Sequence, residues 1–151
     1  NFNHPVKELV WNSIVAESET AHEWFNYSKE NAVDGTNSRK RDGYVGQANN
    51  TENAKLQLNG HDRFAQRDGD YFSLVQPHQH HSNIPANRGV NVYSFALRPE
   101  EHQPSGTCNF SRIDNATLNV KCTTAGKLNV YAVNYNVLRV MSGMGGLAYS
   151  N

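Results

Sequence analysis

The chain has 151 residues, the usual length of one domain, and carries 14 basic and 14 acidic side chains for a formal charge of zero. That balance speaks against a nucleic-acid groove or a basic membrane-binding face, and 19% charged with 10% aromatic residues speaks against a disordered tail or a coiled coil. No apolar run approaches the roughly 20 residues of a membrane helix, and no apolar signal-peptide core follows the opening Asn-Phe-Asn-His, which suggests a piece of a longer chain or a processed product.

Pro5 to Ala16 (PVKELVWNSIVA) is strongly apolar. Its 6-10-14 spacing also fits a helix, but the β-branched and aromatic content and the leading proline favour a strand. His22 to Tyr27 (HEWFNY) is a short aromatic segment and a candidate second strand. From Ser28 to Asn53 large apolar residues almost vanish, and Asn, Gly, Ser, Asp, Lys and Arg take over. A stretch that long without periodicity reads as a polar surface insertion or a disordered segment. Ala54 to Asn59 alternates with Leu56 and Leu58 on one face, a strand pattern ended by Gly60. Phe64 to Val75 could hold a short helix broken at Asp68-Gly69, and Gln76 to Gly89 reads as loop.

Val90 to Leu97 (VNVYSFAL) is apolar on both faces and reads as a strand central to a packed sheet. Arg98 to Gly106 is a polar turn with two prolines. Thr107 to Ile113 and Ala116 to Cys122 alternate as short strands around Asp114-Asn115. Lys127 to Val140 reads as one long strand, with Val130, Ala132, Asn134 and Leu138 in one row and Tyr131, Val133, Tyr135 and Val137 in the other. The segment Ser142 to Gly146 is too glycine-rich to be expected as regular structure. Six to eight strands, little helix, long loops and no repeat make an all-β domain, a β-sandwich or a jelly roll.

The candidate chemistry is thin. His78-Gln79-His80-His81 offers imidazoles at i, i+2 and i+3, a spacing that can hold a metal with Glu100, Glu101 or His102. The plainer reading is a polar loop. His61 beside Asp62 could be a base and its orienter, but neighbours on an extended chain point apart; a turn in which Asp62 caps and Arg63 makes an ion pair is simpler. Cys108 and Cys122 show no zinc spacing, read as reduced, partly buried thiols, and Cys108 lacks a partnered base close in sequence other than His102. The basic run Arg39-Lys40-Arg41 is a candidate surface loop for anionic partners, or a solvated tip. Trp24, Phe25 and Tyr27 could stack on sugars, though such clusters usually belong to a core. Sequons begin at Asn26, Asn49, Asn109 and Asn115, as chance allows in an Asn-rich chain. No catalytic residue, metal ligand or cofactor is assigned.

Several long segments carry a resemblance. Asn59 to Phe64 (NGHDRF), Val92 to Leu97 (VYSFAL), Pro99 to Gly106 (PEEHQPSG), Asn109 to Ala116 (NFSRIDNA) and Asn134 to Arg139 (NYNVLR) closely resemble the major capsid protein of nucleocytoplasmic large DNA viruses. The ending SGMGGLAYSN is similar to that family's C-terminus, and Phe2 to Trp11 to the first strand of its second jelly roll. Phycodnavirus, mimivirus-like, marseillevirus-like and iridovirus capsid proteins share this style. The likeness spans nearly the whole chain apart from about residues 16–53.

The resemblance implies an eight-stranded jelly-roll β-sandwich with long loops, the second half of a double jelly roll whose N-terminal partner is missing from this chain. Residues 1–151 would be that C-terminal domain, with a polar insertion at about 28–53. It implies a structural role: three subunits form a pseudo-hexagonal capsomer, and capsomers tile an icosahedral shell. The implied partners are further copies of the chain and minor capsid proteins. The shell would lie near an internal viral membrane without inserting and would not bind nucleic acid directly. The implied place is the virion, assembled in the host cytoplasm. Glu100, Glu101 and Arg112 are candidate intersubunit ion-pair residues on a rim pre-ordered by Pro99 and Pro104. Two other readings stand beside it: a carbohydrate-binding jelly-roll module, and a cupin-like metalloprotein using His78, His80 and His81.

Overall fold

The computed structural model describes residues 2–20, 22–29, 48–86 and 88–149. The basic run Arg39-Lys40-Arg41 and most of the polar insertion lie outside the described residues. The chain opens with β1 (Pro5–Val15) and a single helical turn, α1 (Ala16–Thr20). After the insertion come β2 (Thr51–Leu58) and two short strands, β3 (His61–Asp62) and β4 (Arg67–Asp68). A π-helical turn (Tyr71–Val75) runs into α2 (Gln76–His80). Then follow β5 (Asn91–Ser94), β6 (Cys108–Asn109), a 3-10 turn (Phe110–Arg112), β7 (Ala116–Cys122) and β8 (Gly126–Asn134). The last described elements are β9 (Leu138–Met141) and β10 (Met144–Leu147).

Among the described strands every pairing is antiparallel. β1 is the spine of one sheet. It pairs with β8 from Val6 opposite Asn134 to Val15 opposite Gly126, while β5 and β6 share its other edge. β2 is the spine of the second sheet, with β7 on one edge and β3 and β4 on the other. β9 and β10 pair only with each other. Val6, Leu9 and Trp11 of β1, Ala54 and Leu56 of β2, Tyr93 of β5, Phe72 and Phe110 close one core between the sheets. The alternation that puts these residues on inner faces is the period-two geometry of a strand.

Aromatic rings fill the middle. Phe72 lies with its centroid 5.1 Å from Trp11 and 5.5 Å from Phe64, and Phe64 lies 4.6 Å from Tyr93. Polar staples join the sheets at one end. The fully buried Asn50 donates to Ser13 Oγ (2.8 Å) and the Thr124 carbonyl (3.0 Å), and its own side-chain oxygen accepts from Thr124 N (2.8 Å). Asn91 donates to Thr51 Oγ1 and the Gly89 carbonyl, and Asn49 Nδ2 donates to it at 2.7 Å. Gly69 is required by contact: a β-carbon there would fall 1.8 Å from the Thr51 carbonyl oxygen.

Several expectations hold and several do not. The strands expected at residues 5–16, 54–59 and 116–122 are β1, β2 and β7. His22 to Tyr27 is not a strand; it turns, with His22 at φ 58, and leaves Trp24 and Phe25 in solvent. The helix expected between Phe64 and Val75 begins at Gly69 and runs through the π-helical turn into α2, ending at His80, with Pro77 inside this continuous helical run. β5 is shorter than expected and is not central. It pairs with β1 alone, and its second face is buried by α2 and the π-helical turn. The long C-terminal strand is two, interrupted at 135–137, and the glycine-rich end is paired as β10. Thr107 to Ile113 holds only the two-residue β6 before it turns into the 3-10 turn, where Asn109 Oδ1 accepts from Ser111 N at 3.0 Å.

Candidate functional site

The loop after β5 is tied by several polar contacts. β5 ends at Ser94, whose hydroxyl caps the bend by accepting from Ala96 N and donating to the Ala96 carbonyl. The chain then runs out through the exposed Leu97 and returns at Ser105, which binds both the amide and the carbonyl of Arg98. Gly106 stands at φ 139, where a β-carbon would crowd the Phe95 carbonyl at 2.9 Å, so glycine is needed to close the loop. Lys7 reaches it from β1, donating through Nζ to the Glu101 carbonyl at 3.4 Å. Pro99 and Pro104 lie within this loop.

Glu100 and Glu101 point to different partners. Glu100 accepts from the Ser82 amide through both oxygens (3.2 and 3.1 Å) and from the Ser82 hydroxyl. It also lies 3.2 Å from His81 Nδ1. The Ser82 hydroxyl, then the Ser82 amide, then His81 hold the Glu100 carboxyl below its ordinary range. Glu101 pairs with Arg98 at 3.1 Å. Arg112 is exposed on the 3-10 turn and makes no ion pair with either glutamate among the described residues. The structure therefore brings the two glutamates onto one loop and leaves Arg112 on a separate turn.

Sequence reasoning missed Glu8. It is buried on the outer face of β1, and its Oε2 lies 2.8 Å from His81 Nε2. That contact is a close approach and not an aligned hydrogen bond, since neither atom has a hydrogen-bond partner of proper geometry. The only available signal was a single acidic residue inside an otherwise largely apolar strand.

The histidine run does not form a metal centre. His78 is exposed, His80 Nδ1 lies 3.0 Å from the Leu97 carbonyl, and His81 is held between two carboxylates by different ring nitrogens. Among the described residues no three His, Cys, Asp or Glu side chains converge on one point. His61 and Asp62 do not pair as base and orienter. Asp62 accepts from Gln57 Nε2 at 2.7 Å and pairs with Lys55 at 3.2 Å, and these two hold its carboxyl below its usual range. Asn59 ties that turn to the one before β7: its Oδ1 accepts from Asp114 N and Asn115 N. Burial pushes the thiols of Cys108 and Cys122 up, the opposite of what a nucleophile needs. The groove lined by Lys29, Glu52, Asp68, Asp70 and Arg88 mixes both charges and holds no histidine or cysteine.

What the surface does offer is apolar area. Tyr131 and Val133 face outward from β8 while Val130 and Ala132 face the core, as the two rows of alternation require. Beyond them the β9–β10 hairpin exposes Leu138, Val140, Met141, Met144 and Leu147. An apolar stretch of this extent marks a contact surface rather than a solvent face.

Comparison with known proteins gives the same direction. The family model described as large eukaryotic DNA virus major capsid protein matches residues 1–146. The major capsid protein of Pyramimonas orientalis virus is 50% identical over 175 aligned residues, which cover 100% of this chain and 38% of that protein. A chain of the PBCV-1 virus capsid superposes with a TM-score of 0.75 at 40% identity, covering 100% of this chain and 45% of the other. The Faustovirus major capsid protein, 14% identical, shares the fold at a TM-score of 0.65 over 88% of this chain and 30% of that one. The chain thus spans about two fifths of the length of the relatives it matches. The antiparallel sandwich is the jelly roll of viral capsid proteins, and the chain belongs to the large eukaryotic DNA virus major capsid protein family.

Proposed function

We propose that this chain is a structural part of a viral shell, the second jelly roll of a capsid subunit, and that it performs no catalysis. The observation that carries this reading is the match along the full chain to a chain of the PBCV-1 virus capsid. Two physical features support it. The body is stapled by buried side-chain networks that suit a rigid block. The outer face of β8 and the β9–β10 hairpin are apolar and open, as a part made to be covered requires. Three full-length subunits form a pseudo-hexagonal capsomer, and capsomers meet one another and minor capsid proteins in a shell over an internal membrane. Assembly takes place in the host cytoplasm. At the rim, Glu100, Glu101 and Arg112 are exposed enough to meet a neighbour while two of them already hold their own loop. Native mass spectrometry of the full-length protein tests the core of this: a trimer is expected, and a stable monomer at micromolar concentration overturns it.

One observation favours a second activity on the same scaffold. Trp24 and Phe25 (84% exposed) stand in solvent instead of joining the core. Open aromatic faces stack on sugars. Binding of a glycan array by the full-length protein, abolished by Trp24→Ala, would establish the carbohydrate-binding reading; silence of the array would remove it.

A further inference from the structure

β2 and β3 are joined by two residues. Leu58 pairs with His61 across the turn, which leaves Asn59 and Gly60 as the whole loop. Both stand at positive φ, 50° and 81°. Two such residues in a two-residue hairpin loop make a type I′ turn, and Asn-Gly is a pair that adopts it readily. It is also the one Asn-Gly pair in the chain. The same pair carries a chemical liability. Gly60 has no side chain to shield its nitrogen, and a β-carbon there would meet nothing within 4 Å. Both residues are exposed, so water and base reach them.

The reaction open to this pair is deamidation. The Gly60 nitrogen gives its proton to solvent base and attacks Asn59 Cγ. The N–Cγ bond forms, the Cγ–Nδ2 bond breaks, and Nδ2 leaves as ammonia with a proton returned by solvent. Water then opens the five-membered imide at either carbonyl, leaving aspartate or isoaspartate. The sum is one water consumed and one ammonia released.

The folded turn holds the reacting atoms apart. Ring closure needs Gly60 N and Asn59 Cγ on the same side of the Cα–C bond. The first loop residue of a type I′ turn has ψ of about +30°, which points the Gly60 nitrogen away from the Asn59 β-carbon. The side chain is fixed as well. Its Oδ1 accepts from Asp114 N at 3.0 Å and from Asn115 N at 3.1 Å, and Asn59 N donates to the Asn115 carbonyl at 2.7 Å. These partners stand just before β7, whose Ala116 is in register with Leu58, so the clamp depends on the β2–β7 pairing.

We propose that Asn59-Gly60 is a latent self-modification site, closed by its turn and by the two amides before β7, and reactive only when the turn parts from them. The record it leaves is permanent. Isoaspartate adds a backbone carbon to a loop that closes on two ordinary residues, so that product cannot re-form the turn in register. Aspartate keeps an acceptor oxygen for the two amides and can. The proposal goes beyond the capsid reading and does not depend on it.

Peptide mapping by mass spectrometry tests this on the full-length protein, incubated at fixed pH and temperature beside a synthetic peptide of residues 56–63. The peptide gives the unrestrained rate. The native protein should convert Asn59 more slowly by about tenfold or more, because reaction through an open state is scaled by the population of that state. Equal rates, or no conversion in the peptide, overturn the proposal. Hydrogen exchange of the Asp114 and Asn115 amides supplies a second reading, since both must release Oδ1 in the same opening. Their protection should equal the slowing of Asn59 within about threefold; amides that exchange freely beside a slow Asn59 overturn the clamp. Asp114→Pro removes one donor, and Ile113 before it already has the extended backbone that a following proline needs (φ −106, ψ 113). Conversion in that variant should rise several-fold, and an unchanged rate in the folded variant overturns the proposal.

Discussion

His81 has a carboxylate at each ring nitrogen, Glu8 at Nε2 and Glu100 at Nδ1. A neutral imidazole offers one proton and can serve only one of them; the doubly protonated ring serves both. The three residues come from β1, the segment after α2 and the loop after β5, so the cluster ties the helical layer to the spine strand. Glu100 makes this tie dependent on pH. Its carboxyl is held low first by the Ser82 hydroxyl and amide and then by His81. A group whose folded pKa lies below its unfolded value contributes stability that is present above the unfolded value and is lost as pH falls through the folded one. The window therefore opens near the ordinary value of 4.5 and extends to lower pH. Urea melts of wild type and Glu100→Gln between about pH 7 and pH 3 should show the wild-type advantage shrinking as the solution is acidified. Parallel curves would show that the pairing contributes nothing.

At the scale of elements, the end of the sandwich near the β7–β8 connection is held by amides rather than by apolar packing. Asn50 sits before β2 and reaches Ser13 of β1 and Thr124 of the connection. Truncating it strands the part-buried Thr124 amide and the buried Ser13 hydroxyl together. Asn50→Ala should cost about 2 kcal/mol, the cost of leaving one or two buried polar groups unpaired, read as a drop in the melting temperature. Asn109→Ala, which loses only an exposed cap, should cost less than half as much. Sequence pattern found β2 and β7 because they alternate against one core, and β1 because its β-branched and aromatic content favours a strand. It misplaced what lacks its own periodicity. Gln76 to His80 is helical because it follows a π-helical turn and covers β5, a tertiary cause that no five-residue window carries. Asn50 looked like loop composition, and its role depends on residues 37 and 74 positions away. β10 was hidden by its glycines, whose cost is offset only by pairing with β9.

At the scale of the molecule, both sheets depend on one aromatic cluster. Phe72 is fully buried and comes from neither sheet; it drops from the π-helical turn between Trp11 of β1 and Phe64 beside β3. A single cluster shared by two sheets makes their unfolding one event, since neither can keep its inner face dry without the other. Phe72→Ala should therefore cost about 3–5 kcal/mol and should lower protection of amides in β1 and β2 by the same free energy. The β9–β10 hairpin makes no contribution to that cluster, so its exchange should follow a different free energy, set by whatever covers it. Native-state hydrogen exchange on the full-length variant distinguishes the cases. Equal loss in β1 and β2 with the hairpin unchanged is the expected pattern. Loss confined to one sheet would mean that the sandwich is two units that merely touch, which is a poor design for a block that must hold its shape in a shell.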